Sequence, residues 1–173
     1  MESKTSVWKA NLNSGIILGL TGTVYTLVFY YLDLFFKPYR GYVWLPILLV
    51  ALFLLMKQFR DNHRNGFASY GQALGSGVVI SLYYAAIMGV MVYLLYAVID
   101  DGLVAKQIAF TENTMADRGM PEESIEMAMQ FNRKIMTPLF LSLGQFVSSL
   151  FGGTIASLII ALFVKKEGNP LID

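Results

Sequence analysis

The sequence predicts an all-α integral membrane protein: four transmembrane helices in one domain over 1–173, with spans three and four extended into an extramembrane helical hairpin. Three observations carry this. Of 173 residues, 55% are hydrophobic and 14% charged, with a mean hydropathy of +0.55, whereas a soluble domain carries about 25% charge. The charges are also clumped, leaving charge-free runs of 23 (Ala10 to Leu32), 16 (Gly41 to Met56), 35 (Asn65 to Ile99) and 30 residues (Ile135 to Val164). A helix needs about 20 apolar residues to cross a hydrocarbon core of about 30 Å. Finally, the runs are continuous, whereas strands of a membrane barrel alternate apolar and polar over about 10 residues.

The first span is expected over 11–33. It is too long for the 7–15-residue core of a signal peptide, and it closes on the bulky Tyr30-Tyr31-Leu32-Asp33-Leu34-Phe35-Phe36, so it reads as uncleaved. The second span, 42–57, is short of charge-free length but is entered through the aromatic flank Tyr39 to Trp44, which suits the headgroup level. Its stretch Leu45 to Met56 has one small residue and is expected to face lipid. Spans three and four are expected over 72–98 and 136–164. Between them, 100–134 contains Gly119-Met120-Pro121-Glu122-Glu123, a helix stop followed by a proline start with acids in its first turn. Leu103, Val104, Gln107, Ile108 and Thr111 before the break, and Ile125, Ala128, Met129 and Asn132 after it, form stripes at helical spacing. A hairpin with its tip near Arg118 to Pro121 follows.

Lysine and arginine set the expected orientation. With both termini inside, Lys4, Lys9, Lys57, Arg60, Arg64, Lys165 and Lys166 fall in short inner segments. The six remaining bases spread over longer outer ones, as the positive-inside rule requires. A multi-pass protein with the N and C termini cytoplasmic is therefore expected.

Within the spans, small residues recur every fourth position. Ala73, Gly77, Ser81 and Gly89 do so in span three, Ser149, Gly153 and Ser157 in span four, and Gly15 and Gly19 in span one. Helix association in lipid depends on close backbone approach, which small side chains permit. These nine residues are the candidate helix-packing set, serving either the folding of one chain or contact between chains.

The sequence offers little chemistry. Thirteen bases balance twelve acids, which argues against nucleic acid as a partner. There is no Cys and a single His, so thiolate sites are excluded and no metal or cofactor is expected. Ionisable residues, the usual mark of proton relays, are absent from the predicted span cores. Gln72, Gln145 and Tyr84 are candidates for a polar pocket. Arg60, His63 and Arg64, in the basic turn Lys57 to Gly66, are candidates for lipid-headgroup binding. Glu122, Glu123 and Glu126 are best explained as a solvated helix start.

Phe67-Ala68-Ser69-Tyr70-Gly71-Gln72-Ala73-Leu74, preceded by Phe59-Arg60-Asp61-Asn62 and followed at the chain's end by Phe151 to Leu162 and Lys165-Lys166, resembles a small four-span inner-membrane family of Bacteroidota, a domain of unknown function. The expected Pro after Val98-Ile99-Asp100 is Asp101 here. The resemblance implies a four-helix inner-membrane protein and carries over no catalytic or binding residue. Function is thus expected to be that of a structural or interaction subunit, its partners the lipid bilayer and either a membrane protein or a second copy in a homo-oligomer. A channel or carrier for a small or lipidic solute is the alternative. A membrane enzyme fits least, because no nucleophile–base pair or metal motif is legible.

Overall fold

A computed structural model describes residues 6–168 as helices joined by short turns. α1 is Val7–Tyr31, α2 Tyr39–His63, α3 Tyr70–Leu94, α4 Leu103–Asp117, α5 Glu122–Ile135 and α6 Pro138–Val164, and α3 runs on through a π-helical turn at Leu95–Ile99. Four of these, α1, α2, α3 with its π turn, and α6, are long and apolar enough to cross a membrane.

Two of the helices outrun their charge-free runs. α1 starts at Val7, ahead of Lys9, and α2 carries Lys57, Arg60 and Asp61 as helix. Backbone hydrogen bonding does not stop at the hydrocarbon edge, and long basic side chains bury their stems while their charges reach water. The basic segment expected to be a turn is therefore helical through His63. The turn proper is Arg64 to Phe67. Asn65 (φ 52°) and Gly66 (φ 82°) take left-handed conformations, and the Gly66 N–H closes back on the Arg60 carbonyl at 3.1 Å, so left-handed residues end the helix.

The described chain divides into two compact units, one comprising the chain up to Ile87 and from Val147, the other Met88–Phe146. In the first, Leu18, Leu52, Met56 and Ile80 are fully buried, and an antiparallel bridge between Ala68 and Lys166 ties the residues before α3 to those after α6. α2 leaves most of its span uncovered, with Leu45, Val50 and Leu54 exposed, as its lack of small residues predicts.

In the second unit, α4 and α5 form the hairpin, and its break falls at the expected place. Gly119 (φ 74°) ends α4, with the Met120 N–H bonded to the Met115 carbonyl at 3.2 Å. Pro121 precedes α5, whose first turn holds Glu122 and Glu123 and whose last holds Arg133 and Lys134, matching the helix dipole. The hairpin follows α3 after a bend. The backbone turns extended at Asp100 (φ −142°, ψ 94°). The bend is fixed by the Asp100 carboxylate, which accepts the Gly102 N–H at 3.0 Å and pairs with Lys106 at 2.9 Å.

Candidate functional site

The small residues of α3 and α6 meet as a reciprocal pair. A Cβ placed on Gly77 would overlap Ser157 Oγ and lie 2.6 Å from Ser157 Cβ, and one on Gly153 would overlap Ser81 Oγ and lie 2.7 Å from Ser81 Cβ. Each serine thus fills the space left by the other helix's glycine. Each hydroxyl also donates back along its own helix, Ser81 to the Gly77 carbonyl and Ser157 to the Gly153 carbonyl, both at 2.7 Å. Neither serine hydroxyl is orphaned, which in an apolar interior would cost several kcal/mol. Gly77 opposite Ser157 and Ser81 opposite Gly153 fix the helices as antiparallel. The same register sets Ala73 opposite Ala161 and Ala85 opposite Ser149, all buried.

α1 joins α3 by the same device. A Cβ on Gly15 would overlap Tyr83 Cβ, and one on Gly19 would lie 2.5–2.9 Å from Ile87. Between them and the helix start, the fully buried Asn11 uses both ends of its amide. Its nitrogen donates to the Val7 carbonyl at 2.9 Å, and its oxygen accepts from the Ser76 hydroxyl at 2.7 Å. Asn11 lies four residues before Gly15 on the same helix face, a spacing that does not by itself name Ser76 as its partner. In the second unit a Cβ on Gly89 would lie 3.3 Å from Phe146 Cβ, close but without overlap.

The three residues grouped as a pocket have separate employments. Gln72 is exposed and caps α3: the Ser69 N–H donates to Gln72 Oε1 at 3.1 Å, and the Gln72 N–H approaches Ser69 Oγ at 3.4 Å. This is a capping box, legible in Ser69-x-x-Gln72. Tyr84 lies twelve residues along the same helix, about 18 Å away, and does not converge with Gln72. It is buried, accepts a hydrogen bond from the Trp44 indole at 3.1 Å, and hydrogen-bonds the Ser149 side chain. Trp44 packs in turn against Tyr25, with the rings tilted by 38° and their centroids 4.9 Å apart, and the Tyr25 hydroxyl donates to the Arg40 carbonyl at 2.6 Å. Aromatic packing thus secures the α1–α2 turn. Gln145 is half-buried in the second unit.

Of the headgroup candidates, Arg60 serves the fold. Its Nη1 donates to the Val164 carbonyl at the end of α6 at 2.9 Å, and its Nε pairs with Asp61 at 2.7 Å. A cation at a helix C-terminus satisfies orphan carbonyls. His63 stacks on the Phe59 ring at 5.8 Å and Arg64 lies over it at 5.6 Å, leaving His63 exposed. Lys166 lies over Phe67 at 5.1 Å. One end of the first unit therefore carries bases from α2, the following turn and the segment after α6.

The acids of α5 line one flank of the hairpin. Glu112, Glu122, Glu126 and Arg133 border an open groove of about 280 Å³ floored by Met129, and Arg133 reaches Glu112 at 3.7 Å across it. Both partners are largely exposed, so this pair contributes little stability.

Four helices long and apolar enough to cross a membrane define a multi-pass α-helical membrane protein. The chain belongs to the family described as protein of unknown function (DUF4199), which matches residues 13–166. No curated protein and no solved structure matches it.

Proposed function

We propose that the protein is a structural or interaction subunit of the bacterial inner membrane, a non-enzymatic component that docks a membrane-protein partner through a second small-residue face of α6. The supporting observation is the contrast between two faces of that helix. Gly153 and Ser157 are closed against α3, whereas Ser148 and Gly152, four residues apart, are exposed, and nothing lies within 4 Å of a Cβ built on Gly152. Small residues at this spacing let another helix backbone approach closely. The bases Lys57, Arg64, Lys165 and Lys166 at one end support an orientation with both termini in the cytoplasm.

Affinity purification from crosslinked membranes tests this reading. A stoichiometric membrane partner is expected with the native chain and is lost with Gly152→Leu, while the thermal stability of the variant stays native. Recovery of the chain without a partner from both would contradict the proposal. A C-terminal reporter fusion active in the cytoplasm and silent in the periplasm is the expected topology result.

A further inference from the structure

We infer that the α4–α5 hairpin lies against the surface of the protein's own membrane, with the flank carrying Phe110 and Phe131 seated in the headgroup layer and the flank carrying Glu112, Glu126 and Arg133 in water. Three observations converge on this arrangement.

The polarity of the hairpin is divided between its flanks. In a helix pair standing free in water, the residues facing away from the partner helix are polar throughout. Here Glu112, Glu122, Glu126 and Arg133 gather on one flank, bordering the open groove, while the Phe110 flank carries two charges, Lys106 and Asp117, within about 40° of Phe110. At about 100° per residue, Phe131, Ile135 and Ala128 fall on the opposite side of α5, and Phe110 and Leu103 on the opposite side of α4. Phe131 is 65% exposed and Phe110 39%, although this is the most highly charged part of the chain.

The apolar flank also faces the end of a span. Gln107 shares the flank of Phe110, and its Oε1 accepts from the Tyr96 hydroxyl in the π turn of α3 at 2.9 Å. Eleven residues of straight helix would hold those two positions about 16 Å apart, beyond the reach of the two side chains. The chain folds over at Asp100–Gly102 and brings this flank toward α3. The groove flank, on the far side, faces away.

The hydrocarbon edge lies close by. Exposed Val98 and Ile99 end the apolar run of α3, and exposed Leu139 and Phe140 open that of α6. Phe131 is four residues, about 6 Å, from the end of α5, and two residues then lead into Pro138. A headgroup layer is about 5–8 Å deep on each side, so Phe131 is within its range. An amphipathic helix with an apolar side toward such a layer lies in the interface plane.

The absence of cysteine makes the test direct. Single variants Phe131→Cys, Phe110→Cys, Glu126→Cys and Gln130→Cys are labelled with a nitroxide and reconstituted in nanodiscs of phosphatidylcholine and phosphatidylglycerol. Their collision with oxygen and with a water-soluble nickel chelate is read by power-saturation EPR. The oxygen-to-nickel accessibility ratio is expected to be several-fold higher at 131 and 110 than at 126 and 130. Equal ratios on both flanks would overturn the inference. So would a label at 131 shielded from both reagents, which indicates a protein partner, or dilution-sensitive spin–spin broadening, which indicates a second copy. Because Phe131 is largely exposed, its replacement leaves the fold intact and that position alone decides the outcome.

Discussion

Replacing Gly77 by alanine adds one methyl group at the tightest point between α3 and α6. The new Cβ overlaps Ser157 Oγ and sits 2.6 Å from Ser157 Cβ and 2.8 Å from Met56 Sδ. The methionine is flexible and moves aside, but Ser157 Cβ is fixed to its helix. Ordinary carbon contact lies at about 3.5–4.0 Å, so the helices must part by about 1 Å, and a gap of that size forfeits a quarter to a half of each surrounding contact. Overpacking of this kind costs about 1–3 kcal/mol. A loss of about 2 kcal/mol lowers the Tm of a chain this long by roughly 4–8 °C, measurable by circular dichroism in mild detergent. Gly75→Ala, where the added Cβ meets nothing within 4 Å, is expected to melt at or above the native temperature. Ser157→Gly removes the obstacle, so Gly77→Ala/Ser157→Gly should recover at least half of the loss, a coupling visible in a double-mutant cycle. If Gly77→Ala melts with Gly75→Ala, or if the double variant shows the two single effects added together, the reciprocal packing is refuted.

Three further outcomes follow from the same geometry. Asn11→Leu removes the α1–α3 hydrogen bond to Ser76 and is expected to cost about 1 kcal/mol, near the range for such bonds in membranes; Ser76→Ala on that background should add little, and additive losses in thermal unfolding would show that the two residues are not partnered. Arg60→Gln deprives the Val164 carbonyl of its charged donor, at a cost of about 1.5–3 kcal/mol, and should speed hydrogen exchange in the last turn of α6 while α1 is unchanged. Gly119→Ala forces alanine to φ 74° at about 1–2 kcal/mol, and its exchange signature should be confined to α4 and α5.

The four spans and the hairpin tip were readable because each rests on a one-dimensional signal: charge-free length for the spans, and Gly119-Met120-Pro121 for the tip. The candidate packing set was readable only by halves. A four-residue spacing shows that Gly77 and Ser157 each lie on a small face, but it carries no information about which face meets which, and the Gly–Ser reciprocity appears only once the antiparallel register is known. Gln72 shows the opposite error: polarity within an apolar run suggested a pocket, while the Ser69-x-x-Gln72 spacing already encoded a cap. The fold-over at Asp100 was hidden because it depends on a side chain reaching its own following residues and on a Tyr96–Gln107 contact that periodicity does not mark. Arg60 read as a candidate headgroup ligand because its partner, the Val164 carbonyl, is backbone and 104 residues away.

The central claim is that the small-residue faces of α3 and α6 join within one chain, and pairwise crosslinking tests it most directly. Ala73→Cys and Ala161→Cys, opposite each other in the register set by Gly77 and Ser157, are introduced together into the cysteine-free chain and oxidised in native membranes. The account predicts a disulfide within single chains, seen as a mobility-shifted monomer that reduction reverses. Disulfide-linked dimers without that monomer, or formed equally well when the two substitutions are on separate coexpressed chains, would contradict it.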